Sequence, residues 1–229
     1  MEYNLLFSFK LSLFVAGIST ILVLITGVGL AYLLVYQRPR GHQLLDIALT
    51  LPLVLPPTII GYYLITLLGR NGVIGQLVLD LTGDSLMFTP QAAICAAYVV
   101  SLPLMVKSCK SSFESIDPHL LAASYSLGHN RFSTFWRITL PLARPGILAG
   151  VILSFARALG EFGATLMVAG NIPGKTDTVP LAIYSLVESG QFVRANQVVL
   201  IYTLIAAIFL LISNILGGRN LRAWKGEQR

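Results

Sequence analysis

Long stretches without a charged residue are the feature that most constrains this chain. Residues 11–37, 47–69, 85–106 and 195–218 each exceed the roughly 20 residues that a helix needs to cross a bilayer core. Residues 145–168 form a fifth apolar stretch, in which the charged residues are Arg157 and Glu161. Each stretch should be helical, because an isolated strand cannot satisfy its backbone polar groups in lipid. We therefore predict an all-α integral membrane protein with five transmembrane helices.

The composition and the distribution of charge support this prediction. Only 11% of the residues are charged, whereas a soluble protein has roughly a quarter. One side of the predicted spans holds Arg38, Arg40, Lys107, Lys110, Arg131, Arg137, Arg144, Arg219, Arg222, Lys225 and Arg229. The other side holds Lys10, Arg70, Lys175 and Arg194. The positive-inside rule makes the first side cytoplasmic, with the N-terminus outside and the C-terminus inside.

The chain is expected to form one transmembrane domain over residues 1–229, because no stretch is polar enough to be a linker. Its net charge of +6 orients it in the membrane, and no nucleic-acid-binding motif accompanies that charge. We therefore expect a lipid bilayer, and no nucleic acid, among its partners.

The longest loop on the basic side, residues 107–144, is predicted to contain two short helices. Asp117 is followed by a proline, a pair typical of a helix start, and Gly128 suits the left-handed position after a helix end. Asn130 is a second N-cap. The loop is therefore an ordered element.

The second of these helices carries aromatic residues beside arginines. We expect it to end at Pro141 and Pro145. Phe132, Phe135 and Trp136 then give it an apolar face. Two interpretations stay open: an amphipathic helix lying on the membrane surface, or a docking element with these aromatic residues as anchors for a cytoplasmic partner.

Arg157 and Glu161 lie four residues apart in the fifth stretch, on one face of the expected helix. A charge in mid-bilayer costs roughly 2.5–3.5 kcal/mol, so both should face the protein interior or water. The same face includes small residues that allow close helix approach, and it consists of Gly146, Gly150, Ser154, Arg157, Glu161 and Ala164. The two charges form either a structural ion pair or part of a translocation pathway.

Prolines interrupt the second predicted span near its middle, at Pro52, Pro56 and Pro57. A helix that restarts at Pro57 would aim its first amides, beginning at Thr58, toward the middle of the protein, where an anion could bind. A plain kink is the alternative. The candidate pathway or gate residues are Pro56, Pro57, Thr58, Ser154, Arg157 and Glu161.

We expect no catalytic residue, metal site or cofactor site in this chain. Glu161 is the one acidic residue within a predicted span, and neither His nor Cys lies beside it. Residues 169–176, AGNIPGKT, fit a relaxed P-loop pattern, but they follow a membrane helix and Pro173 lacks an amide. Residues 170–194 are better explained as an external loop with a short helix near 179–187. A membrane enzyme and a passive anion channel remain alternatives.

Residues 113–147 resemble the cytoplasmic "EAA" loop of bacterial binding-protein-dependent ABC importer permeases, through paired alanines, Gly128 and the Ile-x-Leu-Pro motif that begins at Ile138. The resemblance implies a coupling helix that fits a groove of an ATPase subunit, and a type I importer fold. The family's glutamate position falls at Ala122 or Leu121, neither of which is acidic. The implied coupling residues are Asp117, Ala122, Ala123, Gly128, Arg131, Phe132, Phe135, Trp136, Ile138, Leu140 and Pro141.

Residues 51–64 and 155–176 are similar to the molybdate permease subfamily and, less closely, to sulfate and tungstate permeases. The resemblance implies a homodimer in the bacterial cytoplasmic membrane that binds two ATPase subunits. It further implies that ATP and Mg bind those subunits, and that a periplasmic binding protein delivers a tetrahedral oxyanion. The oxyanion itself stays open at this point.

Overall fold

The computed structural model describes the backbone of residues 5–226 and the side chains of residues 5–213. All regular structure in that part of the chain is helical. The helices are α1 Leu5–Tyr32, α2 His42–Thr50, α3 Pro57–Leu68, α4 Val73–Thr82, α5 Pro90–Glu114, α6 Pro118–Ser126, α7 Arg131–Thr134, α8 Leu140–Leu142, α9 Arg144–Leu159, α10 Gly163–Ala169, α11 Val179–Glu188 and α12 Phe192–Gly226. The π-helical turns Leu33–Gln37 and Phe135–Thr139 extend α1 and join α7 to α8, and the 3-10 turn Leu51–Leu53 follows α2.

Three helices in the described part of the chain are long and apolar enough to cross a membrane: Leu5–Gln37, Pro90–Glu114 and Phe192–Ser213. Two bent pairs raise the number to five if each pair counts as one span. The chain bends by 115° between His42–Leu53 and Pro57–Leu68, and by 71° between Arg131–Leu142 and Arg144–Leu159. The all-α prediction is therefore confirmed.

The contacts between the long helices fix their relative directions. The start of α1 and the start of α5 share one apolar cluster, and the ends of both helices share another, so the two helices run parallel. α9 runs antiparallel to α5, because Gly146 approaches Ser112 whereas Ser154 donates a hydrogen bond to the Ser101 carbonyl. α12 reverses again, since the Tyr202 hydroxyl donates to the Leu159 carbonyl. α1, α5 and α12 therefore run in one direction and α9 runs in the opposite direction, as expected for a chain that crosses the bilayer repeatedly.

Two apolar clusters lie along the α1–α5 pair. The first lies around the beginning of both helices and includes residues of α3 and α10, such as Ile60 and Ala164. The second lies at the other end, where Val23, Met105 and Phe113 pack beside the loop segment that precedes α9. α1 and α5 therefore connect the two ends of the molecule.

An ionic contact joins α2 to the second end of α5. The Asp46 carboxylate accepts from the Lys110 ammonium at 2.6 Å and from the Lys107 ammonium at 3.3 Å. Because α2 begins only a few residues after α1 ends, this contact fixes the reversal of the chain beside α5.

Two helix predictions are corrected by the structure. The stretch 145–168 is not one helix, because α9 ends at Leu159 and α10 begins at Gly163. The Glu161 carboxylate accepts from the Ala164 amide, which gives α10 its own N-terminal cap. The second loop helix continues one residue past Pro141, because the helical run Arg131–Leu142 ends at Leu142; it stops before Pro145, as predicted, and the chain bends there by 71°.

We predict that Gly146→Leu destabilises the bundle, because a Cβ atom at Gly146 would lie 2.4 Å from the Cβ atom of Ser112. Overpacking of this kind costs about 1–3 kcal/mol. Gly17→Leu is the control, since a Cβ atom at Gly17 meets nothing within 4 Å. Unfolding in mixed detergent micelles measures both, and equal stability of the two variants would contradict the close α5–α9 packing.

Candidate coupling surface and translocation site

The first loop helix, α6, has the ends that the sequence predicts. The Asp117 side chain accepts from the His119 amide at 2.9 Å, and Pro118 is the first helical residue. Gly128 has a φ of +83°, the left-handed conformation that terminates the helix. These features confirm the predicted helix.

The second loop helix, α7, is also capped as predicted and is joined to α6. The Asn130 Oδ1 atom accepts from the Ser133 amide at 2.8 Å. The buried hydroxyls of Ser124 on α6 and Thr134 on α7 lie 2.9 Å apart and form a hydrogen bond. We conclude that α6 and α7 form one paired unit, because a buried hydroxyl without its partner is unfavourable.

The three predicted aromatic anchors occupy two different environments. Phe132 is 73% exposed and Trp136 is 53% exposed, and their ring centroids lie 6.2 Å apart. Phe135 is instead half-buried, with its ring 5.0 Å from that of Tyr32 at the end of α1. Phe132 and Trp136 therefore face outward, whereas Phe135 attaches the loop to the helix bundle.

An aromatic cluster continues inward from Phe135, and sequence reasoning missed it. The Tyr32 ring packs edge-on to Phe113 at the end of α5, and the Tyr36 hydroxyl donates to the Phe113 carbonyl at 3.1 Å. We call Tyr32, Tyr36, Phe113 and Phe135 the aromatic joint. The four-residue spacing of Tyr32 and Tyr36 was the available signal, but nothing in the sequence identified Phe113 as their partner.

The remaining predicted coupling residues lie on or near the same outer surface. Ala122, Ala123 and Arg131 are exposed, whereas Ile138, Leu140 and Pro141 are half-buried. Leu127, which sequence reasoning did not single out, is 78% exposed beside Gly128. The surface around α6 and α7 is thus apolar and accessible.

Arg157 and Glu161 form an ion pair across the break between α9 and α10. The Arg157 Nη1 atom lies 2.6 Å from the Glu161 Oε2 atom, and the second carboxylate oxygen accepts from the Ala164 amide at 2.8 Å. The Glu161 side chain is 2% exposed, whereas that of Arg157 is 30% exposed. Both carboxylate oxygens are therefore engaged, and the Arg157 side chain remains partly exposed.

The predicted helix restart at Pro57 is confirmed, but the amides of Ile59 and Ile60 are not free. The amides of Ile59 and Ile60 both donate to the Pro56 carbonyl, at 2.9 and 3.3 Å. An anion at this helix start would have to compete with that carbonyl. Pro56, Pro57 and Thr58 are all exposed.

The two breaks meet in space. A Cβ atom at Gly163, the first residue of α10, would lie 3.0 Å from the Pro57 side chain and 3.7 Å from the Thr58 amide nitrogen. Glu161 lies only two residues before Gly163. The structure thus brings most of the predicted pathway residues together, with the exception of Ser154, whose buried hydroxyl is engaged with α5.

The segment with the P-loop-like pattern has no P-loop geometry. It follows α10 without a preceding strand and leads into α11. The buried Asp177 carboxylate accepts from the Gly174 amide at 2.8 Å and from the Ser8 hydroxyl on α1 at 2.9 Å. The loop is therefore fastened to the start of α1, and the short helix predicted after it is confirmed as α11.

These observations define a polytopic helical membrane protein with a paired-helix surface at one end and a charged break inside. The family described as binding-protein-dependent transport system inner membrane component matches residues 23–224. The chain belongs to this family. It is accordingly an inner membrane component of a transport system.

The chain is also similar to individual members of transport systems and to a solved structure. The chain is 44% identical to the molybdenum transport system permease protein ModB of Escherichia coli K12, over 89% of each chain. It is 41% identical to the protein of the same name from Haemophilus influenzae, over 92% of each chain. Its fold is similar to that of a bacterial alginate ABC transporter solved in complex with an alginate pentasaccharide-bound periplasmic protein, with a TM-score of 0.77, 18% identity and coverage of 93% of this chain and 78% of that one.

We predict that Arg157 and Glu161 are energetically coupled. Glu161→Ala leaves the Ala164 amide without its acceptor, and Arg157→Ala leaves the buried Glu161 carboxylate without its counter-ion, so each substitution should destabilise the protein. A double-mutant cycle measured by unfolding in detergent should give a coupling energy of about 1–3 kcal/mol.

Additive effects of the two substitutions would exclude the structural ion pair.

The pathway interpretation requires a second result. Arg157→Ala should lose transport in protein whose assembly and stability at the assay temperature are comparable to those of the wild type.

Proposed function

We propose that this chain is the membrane-spanning permease subunit of an ATP-driven importer that moves molybdate into the cell. The identity of 44% to a molybdenum transport permease over 89% of both chains is the observation that supports this proposal most strongly. The match covers 204 residues and is therefore not confined to one loop or motif. The protein binds no ATP and catalyses no reaction itself.

The proposed assembly contains two copies of this permease and two copies of an ATPase subunit, with a periplasmic protein that delivers the oxyanion. ATP and Mg bind the ATPase subunits. The paired helices α6 and α7 supply the ATPase contact, because they expose Phe132, Trp136 and Leu127 to the surroundings. Aromatic anchors that enter a partner's groove carry a large share of binding energy.

The proposed orientation places the α6–α7 surface in the cytoplasm, with the N-terminus outside and the C-terminus inside. Asp46, Lys107 and Lys110 then lie at the cytoplasmic end of the bundle, and the external loop holds the segment that Asp177 fastens to α1. The distribution of Lys and Arg supports this orientation.

The proposed mechanism follows from the contacts that connect α6 and α7 to the long helices α1 and α5. Movement of the ATPase subunits displaces the α6–α7 unit, whose helices are held together by the Ser124–Thr134 hydrogen bond. The aromatic joint passes this displacement to the ends of α1 and α5, because the Phe135 ring packs on Tyr32. Both helices extend from the aromatic joint to the opposite end of the bundle, where they pack with Ile60 of α3 and Ala164 of α10, so they transmit the movement to the breaks beside Pro57 and Glu161.

Alternating access then requires two arrangements of the region around these breaks. Short helices that meet at breaks can rotate about them, whereas continuous helices move as rods. The partly exposed Arg157 side chain provides positive charge for an oxyanion in transit, while Glu161 prevents it from binding the anion too tightly.

We predict that the purified chain in liposomes transports nothing by itself, and that molybdate uptake appears when the ATPase subunit, ATP and the binding protein are all added. Tungstate should inhibit molybdate uptake more strongly than sulfate does, because we expect the binding protein to select the larger oxyanions, molybdate and tungstate. Anion conductance by the chain alone would contradict the proposal and favour a channel. Turnover of a substrate by the chain alone would favour an enzyme.

We further predict that Phe132→Ala weakens ATPase association by about ten-fold or more, the effect expected of an exposed aromatic anchor. Phe14→Ala is the matched control, because Phe14 is 54% exposed on α1, far along the chain from the loop. Co-purification at graded salt and titration of the ATPase subunit measure the difference. Equal loss in both variants, or in neither, would contradict a docking role for Phe132.

A further inference from the structure

A concave groove lies between α1 and the segment that connects α7 to α9. Its volume is about 900 Å3. It is lined by Leu24, Ile25, Val28, Gly29, Phe135, Trp136, Leu140, Pro141, Leu142, Arg144, Pro145, Ile147 and Leu148. The proposed transport cycle involves Phe135 and Trp136 at the edge of this groove but assigns no occupant to the groove itself.

The wall formed by α1 is apolar and open. Ile25 is largely exposed, and a Cβ atom at Gly29 would meet no atom within 4 Å. The opposite wall includes the exposed Leu148 of α9. Counted back from Gln37 at about 1.5 Å per residue, Gly29 lies roughly 12 Å from the end of the helical span. The groove thus extends from one end of the span into the hydrocarbon layer.

The end of the groove nearest the membrane surface is cationic. Arg144 is exposed and is the first residue of α9. No carboxylate among residues 5–213 lies within 4.0 Å of its guanidinium. Trp136 lines the same groove, and tryptophan is enriched at the level of lipid headgroups. An apolar channel with a free arginine at its surface end is complementary to an acyl chain that carries a negative headgroup.

We propose that this groove binds one anionic phospholipid, with its phosphate at Arg144 and one acyl chain along α1 between Leu24 and Gly29. The site requires only that the chain lie in a membrane, and its assignment to the cytoplasmic leaflet rests on the proposed orientation. The lipid contacts both α1 and the loop segment at Phe135 and Trp136. It therefore fills the space beside the aromatic joint.

The headgroup contact is tested by lipid retention. The permease is purified with its ATPase subunits from membranes that contain phosphatidylglycerol and phosphatidylethanolamine, and bound lipid is quantified by mass spectrometry. The wild type should retain phosphatidylglycerol in preference. Arg144→Gln should lower that retention about five-fold, the effect of one arginine near an anionic headgroup. Arg137→Gln is the matched control, since Arg137 is exposed on the same segment but does not line the groove.

The acyl-chain contact is tested by filling the groove. Gly29→Leu adds a side chain whose Cβ atom meets no protein atom within 4 Å, so the protein should fold while lipid retention falls. Gly17→Leu adds the same side chain on the same helix in open space outside the groove, and should leave retention unchanged. Both comparisons measure lipid and not transport, so they can succeed or fail independently of the proposed function.

Three results would overturn the proposal. One is wild-type protein without a preference for phosphatidylglycerol. Another is equal retention by each variant and its control. The third comes from a photo-crosslinker at Leu148, which should label phospholipid; adducts with the ATPase subunit or with a second permease copy would show that protein covers the groove.

Discussion

Lipid offers a helix no hydrogen-bond partners, so each interruption of a membrane helix has to be satisfied by the protein itself. Two interruptions meet that requirement by different means. At the start of α3 the Pro56 carbonyl accepts from two amides, and at the start of α10 the Glu161 carboxylate accepts from one. The carboxylate is stable there because Arg157 supplies the opposite charge. The ion pair is therefore part of the backbone architecture as well as a candidate for anion passage.

The start of α3 and the start of α10 lie against each other. Irregular backbone is therefore concentrated at one place in an otherwise helical bundle. Gly163 permits the approach, since a side chain there would press on Pro57. Polar backbone away from lipid is tolerated where it is buried in protein or lines a cavity. A membrane protein that holds its irregular segments together in this way gains a region that can rearrange without exposing unsatisfied groups. The Arg157 side chain, which is partly exposed, places a positive charge at this region.

Much of the fold could be predicted from the sequence because lipid imposes simple rules on composition and length. The all-α class, the caps at Asp117 and Asn130 and the restart at Pro57 follow from local chemistry, and the structure confirms them. The break after α9 was not predicted, because Glu161 fits the helical pattern of the sequence. Its contact with the Ala164 amide, which marks the start of a new helix, is visible only in the structure. The aromatic joint escaped for a related reason. Its members come from segments far apart in the chain, and no local pattern pairs them.

Phe135 and Phe132 illustrate how one short helix serves two contacts. They lie three residues apart, and the segment continues from α7 into a π-helical turn that begins at Phe135. One ring packs inward on Tyr32, and the other stays exposed beside Trp136. The exposed part of this surface is apolar at Phe132, Trp136 and Leu127. The exposed Phe132 ring is thus connected to the end of α1 through one continuous helical segment and the Phe135–Tyr32 contact, the connection on which the proposed coupling depends.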